Sequence, residues 1–185
     1  LGLLFKEYGK KYLKQENIKD IDEVFLGMEK ELIEAMKQLP NIKLKIAGTG
    51  PLENEIESKD NIEYVGFKTG DDLKELISKA KFSIYPSVWY ENCPLSILEA
   101  ESYGTPVITA NYGGMKELVE NNQTGILLDE INSKTLKENI EKLYNDKNKK
   151  ESMSKKCIDK RNTMITIEEY INKLIGLYNK VVEKY

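Results

Sequence analysis

The chain of 185 residues contains no histidine. That absence excludes a Ser-His-Asp triad, a Cys-His nucleophile pair and every zinc motif that needs imidazole. Arginine is nearly absent as well: Arg161 stands alone, far along the chain. Only two cysteines occur, Cys93 and Cys157. Two thiols give no disulfide framework, so a reducing, cytoplasmic setting is the natural expectation. Cys93 has no imidazole to activate it and reads as a packing or backbone-placing residue. No apolar run approaches the roughly 18 residues of a membrane span, and no signal peptide is visible. The opening Leu1–Phe5 is apolar but too short for either. A net charge of −3 and a pI near 5.3 give no electrostatic basis for binding nucleic acid. Lysines are scattered among acids, as on a solvated face, with a local run only at Lys147, Lys149, Lys150, Lys155 and Lys156.

What is present alternates short apolar strands with amphipathic helices. Lys43–Ala47 reads as a strand ending in a glycine turn, Pro51–Ser58 as a short helix and Ile62–Val65 as a strand. Thr69 is expected to cap a helix bearing Leu73, Leu76, Ile77 and Ala80 on one face, with Asp72 at the capping-box position. Phe82–Tyr85, Val107–Thr109 and Gly125–Leu128 read as further strands, with a short helix around Met115–Glu120. This alternation predicts an α/β, Rossmann-like fold: a parallel sheet over Ile42–Leu128 with flanking helices and a helical C-terminus. Ligands in such sheets bind beyond the carboxyl ends of the strands. Ser133 is expected to cap a helix carrying Leu136, Ile140, Leu143 and Tyr144. Asn145–Arg161 reads as an exposed helix, and Ile167–Tyr185 as a long apolar stripe with period near 3.6. The stripe suits core or interface surface better than a membrane helix, because its polar face is mixed and not strongly basic. Over the first 40 residues two readings stand: one long amphipathic helix from Ile21 to Leu39, or a strand Glu23–Leu26 with a helix from Met28. The organisation expected is an atypical, mostly helical segment over 1–41, a ligand-binding domain over 42–145 and C-terminal helices over 146–185 packing on it.

Chemistry concentrates in Tyr90-Glu91-Asn92-Cys93-Pro94-Leu95-Ser96-Ile97-Leu98-Glu99-Ala100. Pro94 suits a first helical turn, where its missing N–H is harmless. Leu95, Leu98, Ala100 and Ser102 then make a short helix that stops at Gly104, and Pro106 blocks its continuation. Unpaired N–H groups near Cys93 to Ser96 would hold an anion, with the Glu99 carboxylate about one turn deeper. That arrangement suits a nucleotide diphosphate whose ribose diol is gripped by Glu99. Glu91, in the loop, is either a site residue or a carboxylate that caps the helix near Pro94.

These residues resemble a known family. The Glu91-x7-Glu99 spacing, Leu98-Glu99-Ala100 and Gly104-x-Pro106-Val107-Ile108 look like the glycosyl transferases group 1 family, retaining nucleotide-sugar enzymes of the GT-B fold. Ile46-Ala47-Gly48-Thr49-Gly50-Pro51, Val65-Gly66-Phe67, Tyr85-Pro86-Ser87, Gly113-Gly114-x-x-Glu117 and Thr124-Gly125 agree in order and spacing. The likeness covers roughly Ile42 to Tyr144, the family's C-terminal, donor-binding domain. It implies a glycosyltransferase of glycan biosynthesis that needs no metal or other cofactor. Glu91 would be catalytic, beside the donor sugar. Glu99, Asn92, Cys93, Pro94 and Leu95 would bind the donor, Asn92 and Cys93 through their backbone. Gly48 and Gly50 would face the nucleotide, and Phe67 would rest against the base or stand as a partly buried strand-end aromatic. The implied partners are a nucleotide-sugar donor and an N-terminal acceptor-binding domain or subunit, and peripheral membrane attachment of the whole enzyme is compatible with them. The chain departs from the family where a basic loop normally meets the diphosphate, since no arginine is available there. That departure keeps two alternatives open: a non-catalytic fragment or partner subunit, and a GT-B nucleotide-sugar epimerase domain. The final stripe, lacking its partner, is expected to make the isolated chain self-associate or to stay mobile.

Overall fold

A computed structural model describes residues 30–50 and 61–184. The Pro51–Ser58 helix and the Glu23–Leu26 strand expected above lie outside these residues. Helix α1 (30–37) buries Leu32, Ala35 and Met36, and Leu39 just after it. Strands β1 (Leu44–Ala47) and β2 (Ile62–Gly66) pair in parallel. Helix α2 (Gly70–Ser78) leads to β3 (Ser83–Tyr85), helix α3 (Leu95–Ser102) to β4 (Val107–Ala110), and helix α4 (Met115–Leu118) to β5 (Gly125–Leu128). Strands β3, β4 and β5 form a second parallel group with β4 at its centre, every residue of it buried. Three helices follow: α5 (Ser133–Asn145), α6 (Lys147–Thr163) and α7 (Ile167–Val182).

The strands are parallel as the alternation requires, but they are hydrogen-bonded as two groups rather than one continuous sheet. One apolar core serves both groups. Leu32, Met36, Ile42 and Ile62 meet Ile108, Ile126, Leu128, Leu136, Ile140, Leu143 and Met153 there. Residues 30–42 therefore belong to the same core as the strands. Polar side chains close the helix ends on which this packing depends. Asn61 Nδ2 donates to the Met36 and Leu39 carbonyls at 2.8 and 3.0 Å, satisfying acceptors at the end of α1. The Glu31 carboxylate accepts from Ser133 N–H at the start of α5.

Several local expectations shift. Asn132, not Ser133, caps α5, in a reciprocal box with Thr135. Ser133 is the first residue of the helix, and its N–H donates to the Glu31 carboxylate. Thr69 is extended at the start of α2 but makes no side-chain cap, and α2 has no buried residue. Ala80 falls beyond the end of α2 and is exposed. Pro94 occupies the cap position of α3, one residue before its first turn. In α3 the buried face is Ile97, Ala100 and Glu101, while Leu95 stays 58% exposed at the helix mouth. Helix α6 is not simply exposed: Met153 and Cys157 are buried, and Ile158 lies against Gly104. Of the C-terminal helices α6 packs on the strands' core, whereas α7 has no buried residue. Among the described residues no helix is long and apolar enough to cross a membrane.

Candidate functional site

Parallel pairing brings the loops after β3 and β4 to one edge. The loop after β3 carries Glu91, and the loop after β4 turns at Gly113-Gly114 into α4. The two meet backbone to backbone. Gly114 N–H donates to the Glu91 carbonyl at 2.6 Å, and a Cβ on Gly114 would stand 1.6 Å from the Asn92 oxygen. Gly113 has φ +58°, and a Cβ there would meet the Glu91 oxygen at 2.9 Å. Both positions thus demand glycine, one for backbone conformation and both for the close approach.

The Glu91 side chain is fixed from beneath. Tyr85, the last residue of β3, donates its phenol to Glu91 Oε1 at 3.5 Å and is also hydrogen-bonded to Ser96. Burial, and then the nearby Glu91 charge, push the Tyr85 pKa up to about 12. The phenol therefore stays protonated at neutral pH and remains a donor to Glu91. Thr109 Oγ1 donates to the Tyr85 carbonyl at 2.8 Å, tying β4 to β3 at this point. Tyr112 Oη donates to the Ser87 carbonyl at 2.9 Å, and its ring lies 5.3 Å from that of Tyr90. These contacts order the loop from both sides.

Helix α3 opens beside Glu91. Its cap residue Pro94 makes no side-chain hydrogen bond, and no acid occupies the first turn. A helix mouth with no side-chain cap and no acid in its first turn is suited to an anionic ligand. Asn92, Cys93, Leu95 and Ser96 are exposed around it, while Pro94 is buried. Glu99 lies one turn further along α3, also exposed.

A second cluster sits at the ends of β1 and β2. Gly48 N–H donates to the Gly66 carbonyl at 3.1 Å, and Tyr64 Oη donates to the Gly48 carbonyl at 2.6 Å. Gly48 has φ +138° and Gly66 φ +71°, so the turn depends on both glycines. Phe67 follows Gly66 and is 66% exposed. Gly50 is exposed. The expected residues thus fall into two groups, Glu91 to Leu95 with Glu99 at the ends of β3 and β4, and Gly48 with Phe67 at the ends of β1 and β2.

Sequence reasoning missed Tyr85 as the support of Glu91. It also missed the buried ion pair of Glu101 with Lys160, which Glu101's neighbours in the chain, Ala100 and Ser102, do not signal. Among the described residues no group of three or more Cys, Asp or Glu side chains could hold a metal ion. A shallow cleft of about 580 Å³ at the α5–α6 junction is lined by Lys142, Asn145, Asp146, Lys147 and Asn148, none of them in either cluster.

The chain is 31% identical over 125 residues to an uncharacterised glycosyltransferase of Methanocaldococcus jannaschii, a match covering 62% of this chain and 32% of that one. It is 28% identical over 152 residues to UDP-Gal:α-D-GlcNAc-diphosphoundecaprenol α-1,3-galactosyltransferase of Escherichia coli, covering 78% of this chain and 38% of that protein. The crystal structure of Anabaena HepE in complex with UDP superposes with TM-score 0.73 at 19% identity, covering 83% of this chain and 45% of that one. At that identity the likeness bears on the fold alone. The chain spans less than half the length of each of these three proteins. The family model of glycosyl transferases group 1 matches residues 29–160, which take in both strand groups and the Glu91–Glu99 segment, and the chain belongs to that family.

Proposed function

We propose that this chain is the donor-binding half of a retaining GT-B glycosyltransferase, taking a nucleoside-diphosphate sugar and delivering its glycosyl group to an acceptor held by an N-terminal domain or subunit. The observation that carries the reading is the joint between the Glu91 loop and the Gly113-Gly114 turn, beside an uncapped helix mouth. In this reading the diphosphate lies at the first turn of α3, and its developing negative charge is met by backbone N–H groups. One such donor is typically worth about 3 kcal/mol in the transition state. Glu91, oriented by the Tyr85 phenol, supports the positive charge that grows on the sugar as the glycosidic bond breaks. Glu99 accepts from the ribose diol, and Gly48, Gly50 and Phe67 face the nucleotide. The UDP held by the Anabaena neighbour makes a uridine diphosphate the first probe. No step in this reading uses a metal.

Titration of UDP into the protein by calorimetry tests it. Glu99→Gln should weaken binding by about 1–3 kcal/mol, the range for losing charge-assisted hydrogen bonds. Glu91→Gln should leave UDP affinity nearly unchanged while abolishing release of the sugar. Equal affinity of the Glu99 variant and the parent would remove Glu99 from the site.

A further inference from the structure

We propose that Glu101 and Lys160 are a positioning pair that fixes the two sides of the candidate donor site from behind; the inference rests on the function proposed above. Helix α3 starts at the Glu91 loop, and α4 starts at the Gly113-Gly114 turn. Lys160, on α6, grips both helices away from the site. Its ammonium lies 2.7 Å from Glu101 Oε2 on α3 and also donates to the carbonyl of Leu118, the last residue of α4.

Glu101 is 1% exposed, so this carboxylate is among the most buried groups of the molecule. Its second oxygen, Oε1, has no hydrogen-bond partner among the described residues. A buried ion pair adds little stability compared with apolar side chains of similar volume, and an incompletely satisfied one adds less. A core shaped for stability alone would place leucine or methionine here. What the pair supplies is direction: a contact with defined geometry that sets where α3, α4 and α6 lie relative to one another. Neighbouring contacts hold α6 in the same place. Arg161 Nη1 donates to the Ser102 carbonyl at 3.1 Å, and Cys157 Sγ donates to the Thr124 carbonyl at 3.3 Å. At the front, α3 and α4 communicate through the bond from Gly114 N–H to the Glu91 carbonyl. A shift of α4 against α3 therefore moves Glu91, because no flexible side chain lies between.

The test uses the full chain with Lys160→Met and with the double change Glu101→Met/Lys160→Met. The single change strands a buried carboxylate and should lower the melting temperature steeply or prevent folding. The double change removes both charges and decides the matter. Trp89, the chain's only tryptophan, stands two residues before Glu91 and is half-buried, so its emission and acrylamide quenching report the loop without any ligand. The double variant should melt within a few degrees of the parent, show altered Trp89 quenching and bind UDP about tenfold more weakly, a coupling typical of contacting residues. Parent-like melting together with parent-like Trp89 quenching would overturn the proposal. So would a large fall in melting temperature, which would make the pair a structural staple. If the parent itself fails to bind UDP, the functional reading falls, and Trp89 still decides the positioning role.

Discussion

At position 114 even a methyl group would stand 1.6 Å from the Asn92 carbonyl oxygen, well inside contact distance. The obstacle is backbone, so Gly114→Ala can be accommodated only by moving the Glu91 loop. Such overpacking should lower stability by about 1–3 kcal/mol, read by thermal denaturation, and should abolish UDP binding. Parent-like melting and affinity would mean the loop yields at no cost. The two thiols differ as sharply. Cys93 is exposed, while Cys157 is buried, and burial followed by the neighbouring Glu101 charge pushes its pKa up to about 12. Iodoacetamide at pH 8 should label Cys93 and spare Cys157 until the protein unfolds, as mass spectrometry of the peptides would reveal. Cys157 and Tyr85 both hold their protons more tightly when folded than their ordinary values of 9.0 and 10.0 allow. Their contribution to stability is full below pH 9 and is lost as pH rises through 12. Urea denaturation at pH 8, 10 and 11 should give falling midpoints, and a flat series would contradict that linkage. The Glu91–Glu99 segment was legible as a loop running into a short helix because two prolines and a glycine, Pro94, Gly104 and Pro106, punctuate it. The Tyr85 support and the Lys160 grip were not, since each depends on tertiary approach, the second between residues 59 positions apart.

Helix α7 is well made locally and poorly supported globally. Thr166 and Glu169 form a complete capping box, acids fill the first turn and Lys180 the last. Such caps are worth about 1 kcal/mol, yet a helix of this length is marginal in water without packing. Ile167, Tyr170, Tyr178 and Val182 are all more than half exposed. Amide hydrogen exchange over 167–182 should therefore be far faster than over β4 or α5. Protection equal to β4 would show that the helix is satisfied within this chain. Gly176→Ala meets no neighbour within 4 Å and should slow that exchange, adding up to about 1 kcal/mol of helix propensity. The stripe's period identified this helix from sequence, as the apolar runs did β4 and β5. Caps were harder. Asn132 and Ser133 both suit a cap, and Asn132 takes the position because its side chain and that of Thr135 satisfy each other's backbone N–H groups.

For the molecule as a whole, alternation of strands and helices was enough to read parallel pairing. It could not reveal that the strands divide into two hydrogen-bonded groups sharing one core, because alternation fixes strand direction but not which strands become neighbours. The parallel arrangement also governs how the chain must assemble. Leu44 pairs with Ile62, Ser83 with Val107 and Val107 with Gly125, so among the described strands there is no hairpin from which a sheet could start. Each of these pairings has to wait for an intervening segment to close, and loop closure opposes it until the core forms. Refolding should begin with α5 and α6, which are local and capped, and β4 should gain its protection late and together with its neighbours. In pulse-labelling hydrogen exchange the helices would be protected before any strand. Until β4 is covered, the bare edges of β3 and β5 make the half-formed chain prone to aggregate, so refolding yield should fall steeply with protein concentration.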